Sequence, residues 1–100
     1  MTSITAIASS GLQAAERRLQ TSAHNIANGQ TEGFHREQVV QQTRPEGGGV
    51  EASVTRSAQA GAALEQDVVD LLAAKNAFLA NLAVFRTGNK MLGALLDSKA

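Results

Sequence analysis

The apolar positions of this 100-residue chain fall into two helical stretches separated by a short alternating one. From about Ile4 to Asn28, the positions Ile4, Ala8, Leu12, Ala15, Leu19, Ser22 and Ile26 step by four or three, which lays them along one stripe of a helix. Gln13, Glu16, Arg17, Gln20 and His24 fall on the opposite face. Asn28-Gly29 is expected to stop the helix, because glycine adopts the left-handed conformation after a cap without steric cost. At helical rise the element is roughly 37 Å long.

From about Ser57 the composition shifts to Ala, Leu and Val, and the helical pattern persists to about Asp97, roughly 60 Å at helical rise. Leu64, Leu71, Phe78, Phe85 and Leu92 recur every seven residues, and a second row runs through Val68, Lys75, Leu82, Asn89 and Leu96. Two such rows predict a coiled-coil seam. Glu65, Asp67 and Asp70 lie early and Arg86, Lys90 and Lys99 late, as the helix dipole favours. Gly88 and Gly93 each weaken a helix by roughly 1 kcal/mol relative to alanine. Their expected use is the close approach of another backbone.

Between the helices, Gln30 to Phe34 predicts a turn, and Val39 and Val40 sit in a weakly patterned extended run. Val50, Ala52 and Val54 alternate with Glu51, Ser53 and Thr55, the period-two mark of a half-buried strand. Pro45-Glu46-Gly47-Gly48-Gly49 separates the two runs as a hairpin connection. The predicted fold is therefore mainly α: two long terminal helices in an antiparallel coiled-coil hairpin, with a β-hairpin over about 30–56 between them, all in one domain. A two-stranded hairpin is marginal alone in water, so it should dock on a helix or a neighbouring subunit.

Composition narrows the function classes. Nine basic and nine acidic side chains give a formal net charge of +0, which argues against a nucleic-acid groove or an anionic membrane surface as the main partner. Cysteine is absent, so disulfides and thiolate metal sites are unavailable. Met1 to Ser10 has no basic n-region and no continuous apolar run, and so does not read as a cleavable secretory signal. The charge-free stretch Asn76 to Phe85 is too short to cross a bilayer, so no direct membrane insertion is expected.

Val69, Leu72, Leu79, Val84 and Leu95 fall outside the heptad rows and widen the apolar stripe beyond what one partner helix covers. Each exposed Leu or Phe forgoes roughly 1.5 to 3 kcal/mol of burial, which predicts an assembly subunit. The candidate packing residues are Leu12, Ala15, Leu19 and Ile26 of the first helix, together with Leu64, Val68, Leu71, Leu72, Phe78, Leu82, Phe85, Leu92 and Leu96 of the last. Lys75 and Asn89 either fix register in a helical layer, as single polar seam residues can, or face solvent.

Catalytic chemistry has little to stand on. His24 and His35 with Glu32 and Glu37 lack a fixed ligand spacing, so no metal site is expected. Gly47-Gly48-Gly49 lacks the Lys-Ser/Thr that follows a phosphate-binding loop, and so predicts a turn. Ser9, Ser10 and Ser57 have no recognisable His/Asp context for a nucleophile. Neither enzyme activity nor a cofactor is expected.

One family likeness runs through most of the chain. Ser10-Gly11-Leu12-Gln13-Ala14-Ala15, Leu19, Ala23-His24-Asn25-Ile26-Ala27-Asn28, Thr31 and Gly33-Phe34 resemble, in order and spacing, the N-terminal signature of the bacterial flagellar rod, hook and hook-associated axial proteins. Gly48-Gly49-Val50-Glu51-Ala52-Ser53-Val54 resembles the strand that follows it. Val68-Val69-Asp70-Leu71-Leu72, Ala77-Phe78, Ala80-Asn81, Val84, Thr87, Met91-Leu92 and Leu95-Leu96 resemble the family's C-terminal helix. The resemblance implies a minimal basal-body rod subunit, exported through the flagellar type III apparatus without a cleaved signal into the periplasmic rod. Its partners would be copies of itself and other rod and hook proteins. It further implies that Asn25, Asn28, Gly29, Thr31, Gly33 and Phe34 form the helix-end turn that positions the strand segment against the next subunit. The chain departs from the family in its short middle, where Arg56 to Ala63 pass directly into the last helix. The alternative is a helical-hairpin adaptor or export-associated binding protein that forms a small fixed oligomer.

Overall fold

The structure, a computed structural model, describes residues 4–98, so Lys99 of the expected late basic residues lies outside the described residues. Helix α1 (Ile4–Ala27) is followed by strand β1 (His35–Thr43), a short 3-10 turn (Pro45–Gly47), strand β2 (Val50–Ala60) and helix α2 (Leu64–Ser98). The chain is mainly helical, with one two-stranded antiparallel sheet between the helices. It is an elongated body of 62 × 25 × 14 Å. Its radius of gyration is 17.2 Å, against about 13 Å for a compact domain of this length.

The turn after α1 differs in detail from expectation. Gly29 is not among the positive-φ glycines; the left-handed residue is Gly33, at φ 72°. The helix instead closes through Asn28, whose backbone N–H and side-chain Nδ2 both donate to His24 O, at 3.0 and 2.9 Å. An asparagine amide can supply this closure itself, which removes the need for a left-handed glycine there. Gly29 N–H donates to Ile26 O at 3.3 Å, Thr31 N–H to Asn28 O at 3.0 Å and Phe34 N–H to Thr31 O at 3.2 Å, so successive bonds lead from α1 to the start of β1.

The second strand runs further than the sequence pattern suggests. The predicted last helix starts at about Ser57, but β2 continues to Ala60 and α2 begins at Leu64. Gly61, at φ 142°, cannot continue a helix, and its N–H donates to Phe34 O at 2.9 Å. The strands pair from Thr43↔Val50 back to Glu37↔Arg56, then shift register before His35↔Ala60. Four residues of β2 there oppose two of β1, and His35 Nδ1 meets Ser57 O at 2.9 Å across the irregularity.

The facing rows of the helices are small and polar. Asn25 meets Asp67, Gly11 meets Asn81, and Thr5 meets Gly88. Asn25 to Gly11 and Asp67 to Asn81 are both steps of 14 residues, so contacts stay in phase over two heptads. The row of α2 turned toward α1 is thus Asp67, Ala74, Asn81 and Gly88, one position before the predicted Val68, Lys75, Leu82, Asn89 and Leu96. Val68, Lys75, Asn89 and Leu96 are exposed and Leu82 is half-buried. The physical reason lies in close approach: a Cβ on Gly88 would stand 2.9 Å from Thr5 Cγ2, and one on Gly11 would run into the Asn81 amide. Gly93, by contrast, has nothing within 4 Å of an added Cβ.

The buried apolar residues are correspondingly only alanines: Ala8, Ala14, Ala15 and Ala74. Among the described residues, ten large apolar side chains of α2 are exposed, among them Leu72 (55%), Leu79 (52%) and Leu95 (60%). The accessible surface is 7046 Å², against about 5,400 Å² for a folded monomer of 10.4 kDa. Leu64–Asp97 is also long and apolar enough, by length and composition, to cross a membrane, at a hydropathy of 1.6. The short charge-free stretch from Asn76 to Phe85 therefore understated the apolar length of this helix.

Candidate functional site

Two features stand out: an apolar wall on α2 and a polar knot that fixes the hairpin to the helix pair. The knot begins at Asn25, in the last turns of α1 and 3% exposed. Its Nδ2 donates to Glu37 O at 2.8 Å, and its Oδ1 accepts from Glu37 N–H at 2.9 Å. The side-chain amide thereby pairs with β1 as a neighbouring strand would, satisfying backbone groups that an edge leaves open. Nδ2 also reaches Asp67 Oδ1 at 3.4 Å.

Asp67, on the first turn of α2, is 1% exposed and pairs with Arg36 of β1 through Oδ1 and Oδ2. Hydrogen bonding to Asp67 holds the Arg36 guanidinium above its ordinary pKa, against the opposing effect of burial. One carboxylate thus ties α1, β1 and α2 together. The knot borders a polar cleft lined by Arg18, Thr21, Ser22, Gln38, Gln66 and Asp70. No buried side-chain nitrogen or oxygen among the described residues lacks a partner.

At the other end of α1, Ser10 holds the hairpin tip. Its Oγ donates to Ile7 O at 2.7 Å and accepts from Val50 N–H at 3.1 Å. Gly49 lies against it at φ 98°, and a Cβ there would fall on Ser10 Oγ and 3.0 Å from Ser10 Cβ. Ser10 and Asn25 together lay the hairpin along α1.

The helix-end turn sits beside the knot. His24 Nε2 lies 3.4 Å from Glu37 Oε1, and its ring meets Phe34 edge-on at 5.6 Å between centroids. Thr31 Oγ1 donates to Asn28 Oδ1 at 3.4 Å. Asn25 belongs to α1 and clamps the strand, while Asn28, Gly29, Thr31, Gly33 and Phe34 make the connection. Among the described residues, no three His, Asp or Glu side chains come together as metal ligands.

Residues 6–35 match the family model of the flagella basal body rod proteins. The matched segment is α1 from Ala6 onward, the turn and the first residue of β1. It contains Ser10, Asn25 and the whole connection, and so covers the α1 side of both hairpin attachments. The rod-protein match supports a structural role of the basal-body rod type, associated with other rod components in the flagellar basal body. No curated protein matches the chain significantly.

The candidate packing residues divide by exposure. Ala15 is buried, and Leu12, Leu19, Ile26, Leu71, Phe78, Leu82 and Phe85 are half-buried. Leu64, Val68, Leu72, Leu92 and Leu96 are exposed. A continuous apolar groove gathers Ile4, Val84, Gly88, Met91, Leu92 and Leu95 where α1 begins. Sequence reasoning placed Ser10, Arg36, Asp67 and Asn81 in no candidate site. The available signal was the seven-residue row Asp67, Ala74, Asn81, Gly88, whose small and polar members a search for apolar seams passes over.

Proposed function

We propose that this chain is a structural subunit of the flagellar rod or hook axis, polymerising through its terminal helices in the service of motility. In this reading α1 and α2 form an antiparallel coiled-coil hairpin, and neighbouring copies and other rod or hook proteins cover the outer face of α2. Passage through the flagellar type III export apparatus without a cleaved signal, into the periplasmic rod, belongs to the same reading. Its action is mechanical and not enzymatic.

The observation that carries the proposal is the inversion of burial on α2. Alanine, glycine and asparagine face α1, while Leu64, Leu72, Leu79, Leu92, Leu95 and Leu96 face outward. Each such leucine gains about 1.5 to 3 kcal/mol when a neighbour covers it, so the stabilisation withheld from the single chain is available to an assembly. The match to rod proteins over 6–35 supports an assembly of the rod type.

The test is growth of the purified protein in sedimentation velocity, paired with electron microscopy of basal bodies from a deletion strain. Open-ended, concentration-dependent growth and basal bodies that lack or truncate the rod are expected. A fixed small oligomer together with intact basal bodies would instead establish the adaptor reading.

A further inference from the structure

Strand β1 has an edge that the described residues leave open. Glu37 gives its N–H and its carbonyl to the Asn25 side chain. In an antiparallel pair the backbone groups of successive residues turn alternately toward and away from the partner strand. The register is unbroken from Glu37↔Arg56 to Thr43↔Val50, so the outward positions after Glu37 are Val39, Gln41 and Thr43. The bond from Arg44 N–H to Gly49 O, at 2.7 Å, puts the even-numbered positions on the β2 side and fixes the same phase. Proteins blunt such edges with charges, proline or bulges. Gln38 to Thr43 contains neither charge nor proline, and the register shift lies before Glu37.

A groove runs along this edge. Two clefts, of about 440 and 270 Å³, meet at Arg18 between α1, the hairpin and α2. Val39 lines the first and Gln41 the second. Thr21 and Ser22 of α1 also line the first; they are 6% and 5% exposed, and neither hydroxyl makes a hydrogen bond among the described residues. Every enclosed side-chain nitrogen or oxygen among the described residues has a partner, so these hydroxyls are ones that solvent still reaches, and the cleft is the surface they share. Arg18 is half-buried and has no ion pair among the described residues. Asp70 of α2 is already engaged: it accepts from Gln66 Nε2 at 2.9 Å and supports the charge of Arg36. The unanswered charge of the groove is therefore positive.

We propose that this groove takes an extended peptide segment of a partner protein, bearing one carboxylate side chain, as a third strand on β1. The segment's backbone pairs with Val39 and Gln41 in the way the Asn25 amide pairs with Glu37, which stands as the first rung of the added ladder. Its carboxylate meets the Arg18 guanidinium, and polar groups beside it meet the hydroxyls of Thr21 and Ser22. Ala14 and Ala15 line the Gln41 end, which suits apolar side chains at alternate positions of the segment. No exposed leucine of α2 lines either cleft, so the site is separate from the face through which assembly is proposed.

The test titrates the full chain with a set of labelled synthetic peptides of about six residues, the usual strand length, each with one central glutamate among Val, Thr, Ser and Ala. Fluorescence anisotropy reads binding, and amide exchange by nuclear magnetic resonance reads the site. Saturable binding is expected for members of the set, with exchange slowed at Val39 and Gln41. N-methylation of the peptide residues that face β1 is expected to abolish binding, while methylation of the intervening residues leaves it intact. Arg18→Ala is expected to weaken binding about tenfold with circular dichroism unchanged, and Arg18→Glu to transfer the preference to peptides with lysine in place of glutamate. Leu72→Gln, altered on the outer face of α2, is expected to bind as wild type does, which keeps this result separate from the outcome of the assembly test. Binding by no member of the set, binding without slowed exchange at Val39 and Gln41, or equal loss with either pattern of methylation would overturn the proposal.

Discussion

Removing either side of the Arg36–Asp67 pair tests whether the knot holds the hairpin to the helices. Asp67 is 1% exposed and the Arg36 side chain 18%, so the two single changes are not equivalent. Arg36→Met strands a carboxylate that has no route to solvent and keeps only the 3.4 Å bond from Asn25. Breaking a buried pair in this way costs about 3 to 5 kcal/mol. Asp67→Leu leaves a guanidinium on a flexible stem that can swing toward water, so its cost belongs at the lower end, about 3 kcal/mol. The double variant leaves no buried charge, and well-packed apolar replacement of such a pair is often neutral or better. Urea unfolding followed by circular dichroism, run as a double-mutant cycle, reads all three. The expected order is Arg36→Met most destabilised, then Asp67→Leu, then the double variant, with a coupling energy of about 2 kcal/mol or more. Additive costs, or a double variant worse than either single, would refute the claim that this pair is buried and mutually dependent.

Four further outcomes follow from the hairpin attachments and from the exposed face of α2. Asn25→Ala removes both bonds to the Glu37 backbone and is expected to cost about 2 kcal/mol, with faster amide exchange in β1 as the direct readout. Gly49→Ala meets a left-handed backbone and the Ser10 side chain together, and should release the hairpin tip from α1 at a cost above about 1 kcal/mol, checked by exchange at Val50. On the assembly face, Leu72→Gln or Leu95→Gln should leave the free chain within about 0.5 kcal/mol of wild type yet block polymerisation in sedimentation. Phe78→Ala, at a half-buried position, should likewise impair assembly more than it perturbs the free chain.

Periodicity located both helices and the second strand, because an amphipathic helix and an alternating strand are written directly in the spacing of apolar residues, whereas the first strand, with Val39 and Val40 among glutamines, left only a weak mark. The end of α1 was legible to within a residue from Asn28-Gly29, although Asn28 and not a left-handed Gly29 performs the closure. The start of α2 was not legible: Ala58 and Ala60 suit a helix, and long-range contacts keep that stretch extended, His35 pairing with Ala60 and meeting Ser57 O while Gly61, at φ 142°, donates to Phe34 O. The heptad rows fared similarly. Leu71, Phe78 and Phe85 lie half-buried, but the companion row turned out to be Asp67, Ala74, Asn81 and Gly88.

What the sequence determined by itself is the inventory of elements and the excess of apolar surface, since both depend only on which residues recur at which interval. What the tertiary structure decided is which side of each helix is inside. That choice turns on contact between segments far apart in the chain: Gly11 with Asn81, Gly88 with Thr5, and one carboxylate at Asp67 shared by Asn25 and Arg36. A small residue and a large one satisfy the same helical period. Only the distance to the facing helix selects the small one for the interior and leaves the large one outside.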